Sequence, residues 1–436
     1  MGPVPGSLSL PGSWLLAAVL VIPASPAPVR PAAPTPTNLS RPAPPTDASS
    51  ESAEREREAA VASILRRAER VTPGAPEARR LSAELVEAGA GYLRRGDSGR
   101  AIELLGEAYA LDETNGSALA ELTLAYAKEE DLDAAAFHLR LAEDRADADA
   151  AAAPTPDRSA TSSTYASIGE IFYAEHRLEE AVGAWSEAAR FGGQDPALVR
   201  RLARSRDELA VARGQRSLSS DNFALFAEPS VPDSVVRLAA DELEAAHRSQ
   251  AAFFGSGLAK RQVVVLYGGR AFFALASVPD WVSGVYDGKI RVALRANAED
   301  PAVMSSVLAH ELAHALMRQV SGDRAPGWLH EGLAQWLEGR RISRDEARDA
   351  VKGRAARSIE ELESRFPGAM DRAQARALYA QSLSLVEYVV AVRGEGALAC
   401  VVRRLRDGDT LAEALRREAG LAPGELFSGW RAWAGV

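Results

Sequence analysis

The chain has 436 residues, 47% of them hydrophobic and 25% charged, enough to bury a large core and to form two domains. A net charge of −9 and a pI near 5.4 leave no basic footprint for nucleic acid. The single cysteine, Cys400, excludes an intramolecular disulfide and reads as a small core residue in the apolar run 397–402.

Residues 14–22 (WLLAAVLVI) form a short apolar run, and residues 23–45 are rich in Pro, Ala, Ser and Thr. The run is too short to span a bilayer and suits the apolar stretch of a signal peptide, with Ala24 or Ala27 at the cleavage point. No Lys or Arg precedes Arg30, and no cysteine follows to accept a lipid. The expectation is export to a periplasmic or extracellular location, or tethering to the membrane by the segment if it stays uncleaved. The excess of Ala and Arg reads as the coding bias of a high-GC bacterium. The expected layout is a signal-peptide-like segment over 1–27, a Pro-rich linker over 28–51, a helical array over 52–214 and a second domain over 215–436.

Within the array, Tyr92, Ala101, Leu105 and Ala108 recur 34 residues later as Tyr126, Ala135, Leu139 and Ala142. A third unit, from Tyr165 and Gly169 on, places Phe172, Ala181, Trp185 and Ala188 in the same slots at an offset of 46, because residues 144–163 carry an insert. This pattern resembles tetratricopeptide repeats, each a helix pair whose small residues let the helices cross closely. The resemblance implies an all-α array whose concave face holds a peptide or a partner protein. The helix at 197–214 closes the stack, and His138 and His176 are expected on helix surfaces.

Further along, residues 216–221 read as a polar joint, 222–226 as a strand, 233–254 as a helix with His247 on its surface, and 262–267 (QVVVLY) as a buried strand. Asp287-Gly288 is a two-residue hairpin turn within 281–294. The second arm alternates Ile290, Val292 and Leu294 with Arg291 and Ala293, the pattern of a half-buried strand.

Residues 309–336 carry the chemistry. His310, Glu311 and His314 spell H-E-x-x-H, which puts two imidazoles one helical turn apart on one face. Two neutral imidazoles so placed can grip one zinc ion. Glu311, about 100° round the helix, lies where it can take a proton from an attacking water. The helix is apolar nearly all round, with Val303 and Val307 on the histidine side, Met304, Leu308, Leu312 and Leu316 opposite, and Ser306, Ala309 and Ala313 on a third side. Titratable groups on so buried a helix need partners, and metal ligation supplies one for all of them together. Asp300 and Pro301 read as its N-cap and first residue.

Met317 and Val320 stand where the H-E-x-x-H-x-x-G-x-x-H pattern needs Gly and His, which excludes that class. The third ligand is then Glu331 or its neighbour His330, in W-L-H-E-G-L-A on a second helix opened by Pro326. Gly332 leaves room for that helix to approach the metal helix.

The two segments resemble the gluzincin metallopeptidases, in particular bacterial peptidase MA-like proteins with L-x-H-E-x-x-H followed by W-L-x-E-G-x-A. The likeness covers about residues 221–433. It implies His310, His314 and Glu331 as zinc ligands and Glu311 as general base and acid. It also implies that residues 290–294 are the sheet edge on which a substrate peptide pairs, and that Tyr379, in the helical stretch 378–392, donates to the oxyanion. Asp407 to Thr410 cap a final helix pair, and Trp430 and Trp433 seal the core.

The expected fold class is multidomain, an all-α tetratricopeptide array followed by an α+β zincin-like metallopeptidase domain. The expected function is zinc-dependent hydrolysis of a peptide or protein substrate. Two alternatives are a scaffold with a catalytically idle metal domain, and an envelope-assembly factor whose zinc only holds the fold. A fourth protein ligand, His330, would mark the latter.

Overall fold

The computed structural model describes residues 47–148, 158–192, 195–276, 282–294, 301–351, 356–364 and 372–436. The expected signal segment, most of the linker, part of the 144–163 insert, Trp281 and the Asp300 cap lie outside the described residues. Two compact units form, one ending at Arg213 and the other running from Gly214 to Val436.

The first unit is built of helices α1 (Asp47–Ala68), α2 (Pro76–Arg95), α3 (Ser98–Leu111), α4 (Gly116–Lys128), α5 (Leu132–Ala148), α6 (Arg158–Ala174), α7 (Leu178–Gly192) and α8 (Pro196–Ala212). Helix α1 begins at Asp47, inside the stretch expected as linker. Pairs α2–α3, α4–α5 and α6–α7 pack as hairpins, and α8 lies on α7. The sequence repeat is visible in how they cross. A Cβ at Gly89 would come within 2.6 Å of Leu105 Cγ, and one at Gly169 would overlap the Trp185 indole, so each glycine lets a large side chain of the next helix lie on its backbone.

The turns repeat with the same offsets. Gly96, Glu130 and His176 hold left-handed φ values of 85°, 62° and 60°. The following N–H groups, of Asp97, Asp131 and Arg177, donate to the carbonyls of Tyr92, Tyr126 and Phe172, which satisfies helix ends that would otherwise be unpaired. His176 is therefore a buried turn residue and not a surface one. Its Nδ1 is 3.9 Å from Glu208 Oε1, and the Tyr173 hydroxyl donates to Glu208 Oε2 at 2.7 Å. His138 is half-buried and stacks on Tyr126 with centroids 5.0 Å apart.

In the second unit, β1 (Arg216–Ser219) and β2 (Phe223–Ala227) are followed by α9 (Asp233–Phe254), β3 (Gln262–Tyr267), α10 (Ala271–Ala276), β4 (Gly284–Tyr286) and β5 (Ile290–Ala293). Then come α11 (Pro301–Ser321), α12 (Gly327–Leu337), α13 (Arg344–Val351), α14 (Ile359–Ser364), α15 (Arg372–Arg393), α16 (Glu395–Arg406), α17 (Leu411–Ala414) and α18 (Pro423–Ala434), with a π-turn over Leu415–Ala419 after α17. The strand order is β1-β2-β3-β5-β4, parallel across β2-β3-β5 and antiparallel at both ends. Phe223, Leu225, Val264, Leu266, Ile290 and Val292 share a core with the apolar sides of α9 and α11. No helix among the described residues is long and apolar enough to cross a membrane.

Several expectations change here. The polar joint at 216–221 contains β1, paired with β2 from Arg216–Ala227 to Ser219–Ala224. Strand β5 is buried along its whole length rather than half-buried. Arg291 is only 1% exposed because Asp287, four residues back across the hairpin, pairs with its Nε at 3.1 Å and the Tyr267 hydroxyl accepts from its Nη1 at 2.7 Å. Nor is β5 the sheet edge: it is hydrogen-bonded to β3 on one side and β4 on the other, and β4 is the outer strand. His247 is half-buried and accepts the Leu258 N–H at 3.1 Å. Trp430 is fully buried, whereas Trp433 and Cys400 are half-buried. Thr410 caps α17 through a reciprocal capping box with Glu413.

The left-handed turn at Glu130 gives a direct test, since a Cβ there costs energy that glycine avoids and the side chain is exposed. Glu130→Gly should raise stability by about 0.5–1 kcal/mol after the larger entropy loss of glycine is subtracted. Chemical denaturation would show this as a higher midpoint, and a lower one would contradict it.

Candidate metal centre

Helix α11 is long, interior and apolar, so the three titratable groups in its middle are carried out of water by the hydrophobic burial of their neighbours. His310 is 2% exposed, and Glu311 and His314 are both 0% exposed. Helix α12 follows after a short turn and brings Glu331, 1% exposed, against the same stretch. Gly332 faces α15 rather than α11: a Cβ there would overlap the Ser382 carbonyl oxygen and come within 2.8 Å of its carbon. The glycine therefore sets the spacing of α12 from α15, and the α11 side of α12 is left to Glu331 itself.

His310 Nε2 is 3.4 Å from Glu331 Oε2, and His314 Nε2 is 3.8 Å from Glu331 Oε1. One donor atom from each of the three residues lies within 4.8 Å of the other two. Donors bound tetrahedrally at about 2.1 Å from one ion stand about 3.4 Å apart, so a small inward adjustment seats an ion among them. The polar atoms are also left without hydrogen bonds: His310 Nε2, His314 Nε2, Glu331 Oε1 and both oxygens of Glu311 are buried and unpartnered. Buried polar atoms rarely go unsatisfied, and here they gather around one point. These residues fit a bound divalent metal.

Residues 262–435 match the family model described as the Peptidase MA superfamily. The C-terminal domain is Peptidase MA-like. Among solved structures, the chain is similar to the TPR2AB domain of yeast Sti1 in its complex with pHSP90, at 13% identity over 80% of this chain and 98% of that one, with a TM-score of 0.25. No curated protein matches the chain.

In the Peptidase MA-like unit, the far sides of the two imidazoles are tied down. His310 Nδ1 is 2.6 Å from Glu338 Oε2, on the residue that ends α12. His314 Nδ1 is 3.5 Å from His330 Nδ1. His330 thus sits behind His314, on the side away from the gathered atoms, and does not join the other three. Burial and the nearby Arg318 push His330 down to about 4, so it is neutral near pH 7. His314 is held well below its ordinary range by burial and by the two other histidines.

Burial opposes charge on His310, but the Glu338 and Glu331 carboxylates outweigh it and raise the imidazole to about 10. Burial pushes Glu311 well above the usual carboxylate range; the His310 charge opposes this, and Glu331, Glu338 and Asp287 add to it. Burial raises Glu331 too, and the facing His310 imidazole opposes that rise. The pocket therefore holds a surplus of carboxylates and favours a cation.

Tyr379 projects from α15 and is 5% exposed, and burial with Glu331 and Glu311 pushes its phenol well above 10, so it keeps its proton. Gln335 joins the helices here, donating to the carbonyls of Glu331 at 2.8 Å and Tyr379 at 3.0 Å. Sequence reading missed Glu338 and Gly284. A Cβ at Gly284 on β4 would overlap Glu311 Oε1 and come within 2.8 Å of Val307 Cγ1, so the outer strand lies directly on the carboxylate. Gly284→Ala is expected to displace the Glu311 side chain at a cost of about 1–3 kcal/mol. A crystal structure of the variant with Glu311 unmoved and stability unchanged would refute that contact.

Proposed function

We propose that the Peptidase MA-like unit is a zinc-dependent peptidase in which His310, His314 and Glu331 hold the metal and Glu311 moves the proton. The observation that carries this reading is the convergence of buried, unpartnered donor atoms on α11 and α12. Zinc in that place would supply Lewis acidity for the scissile carbonyl and for water at neutral pH. Glu311, beside the donors and not among them, accepts the proton of the attacking water and returns it to the leaving amine. Tyr379, protonated and close to both glutamates, donates to the oxyanion.

Only three protein donors converge among the described residues, since His330 turns away. This supports an open, catalytic site over a structural one closed by four ligands. The helical hairpins of the first unit are proposed to bind a peptide or partner protein. An exported location is proposed on the apolar run at 14–22.

The substrate strand is proposed to lie along β4. The Ala293 N–H donates to the Ser283 carbonyl at 2.9 Å, and the Asp287 N–H to the Lys289 carbonyl at 3.2 Å, so the odd-numbered residues of this arm face β5. Gly284 and Tyr286 then direct their backbone groups to the outer edge, with Gly284 against Glu311. An extended peptide paired to these two residues places a scissile bond beside the carboxylate. With a non-hydrolysable peptide analogue bound, the amides of Gly284 and Tyr286 should become protected in hydrogen exchange; unchanged exchange of both would remove β4 from the account.

Glu311→Gln separates chemistry from folding. The variant should keep its metal stoichiometry and lose at least about 100-fold in peptide hydrolysis. Equal turnover by wild type and variant would reject the assigned base, and inactivity of the wild type towards every peptide in a mixed library would favour a scaffold.

A further inference from the structure

The two histidines that face the gathered atoms are anchored by unlike partners. His310 Nδ1 meets the Glu338 carboxylate at 2.6 Å, the length of a strong charge-assisted hydrogen bond. His314 Nδ1 meets the ring nitrogen of another histidine, His330, at 3.5 Å, the long limit for such a bond. Both anchors come from α12 and its C-terminal end, the helix that also carries Glu331. Their side chains are enclosed: that of Glu338 is 10% exposed, and His330 as a residue is 8% exposed.

Each contact decides where a proton sits. A carboxylate only accepts, so the Nδ1 of His310 carries the proton and Nε2 is the atom free to offer a lone pair. Between two imidazole nitrogens there is room for one proton. When His314 Nε2 offers its lone pair to a metal, that proton belongs to His314 Nδ1, and His330 must accept through its own Nδ1. Both rings are thereby oriented with Nε2 inward, the arrangement that the unpartnered Nε2 atoms already show. The strength of the hold differs, because one acceptor is anionic and close and the other is neutral and distant.

We infer that Glu338 and His330 are positioning residues for the metal-facing imidazoles, and that Glu338 makes His310 the dominant histidine ligand while His330 holds His314 more weakly. The inference rests on the metal-centre reading given above and extends it to two residues outside the donor set. Glu338 is seven residues beyond Glu331, so one helix delivers a ligand from its middle and an orienting carboxylate from its end. Shifts of α12 along α11 therefore change the donor and both anchors together.

The test uses the full-length protein and zinc alone, with affinity measured by competition against a chromogenic chelator and cobalt(II) substitution as a second readout. Glu338→Ala should weaken zinc binding by roughly 10- to 100-fold and shift the cobalt ligand-field bands, and it should also lower the melting temperature of the metal-free protein, because His310 loses its buried partner. Glu338→Gln, which keeps shape and an accepting oxygen, should recover part of the loss; it also carries the test if the alanine variant fails to fold. His330→Leu should weaken binding less than Glu338→Ala, and His330→Asn, which retains an acceptor, less again. Wild-type affinity and spectrum in both Glu338 variants would overturn the inference and leave the hydrolase reading standing. A larger loss from His330→Leu than from Glu338→Ala would overturn the assigned order. A wild-type protein that takes up no zinc would overturn both the inference and the hydrolase reading.

Discussion

The second unit is governed by the cost of removing charge from water. Leu308, Leu312 and Leu316 draw α11 into the core, and His310, Glu311 and His314 are carried in with them. An unpaired carboxylate or imidazole in such surroundings costs several kcal/mol unless a partner or a proton compensates it. The chain supplies partners for the outward nitrogens, through Glu338 and His330, but leaves the inward atoms of His310, His314 and Glu331 facing one another. A divalent cation meets all of these demands in one place. The raised pKa of His310 is the metal-free counterpart of the same demand, with a proton in the cation's role.

The surrounding fold keeps that point in register. The parallel strands β2, β3 and β5 form the floor under α9 and α11, and the Asp287-Gly288 turn folds β4 outward so that its glycine lies on Glu311. Helix α12 is fixed from the other side by its close approach to α15 at Gly332 and by the two hydrogen bonds of Gln335. Glu311 is therefore set by a strand, Glu331 by a helix, and the phenol of Tyr379 by the helix behind it. These are rigid elements, which suits chemistry that needs fixed distances.

What could be read from the letters was what depends on short range. The i, i+4 spacing of His310 and His314 fixes a shared face, and W-L-H-E-G marks a second helix with a carboxylate at the right distance along the chain. The turn at Asp287-Gly288 predicted a hairpin, and the 34- and 46-residue offsets reappear in the left-handed turns at Gly96, Glu130 and His176. Had the offsets been followed to the turn, His176 would have been placed there rather than on a helix surface. A hairpin signal, however, does not say which arm lies outermost; that follows from β3 pairing with β5, a long-range choice. Glu338 was invisible for the same reason, since its role exists only once the end of α12 rests against α11. Gly332 was read correctly as a point of close approach but against the wrong neighbour, because nothing local distinguishes α11 from α15.

X-ray anomalous scattering at the zinc absorption edge, from crystals of the full-length protein grown with zinc, tests the central claim most directly. The account predicts one dominant peak about 2.0–2.2 Å from His310 Nε2, His314 Nε2 and an oxygen of Glu331, with His330 outside bonding range. A peak bound elsewhere, a peak that includes His330 as a fourth ligand, or an empty centre at saturating zinc would contradict it.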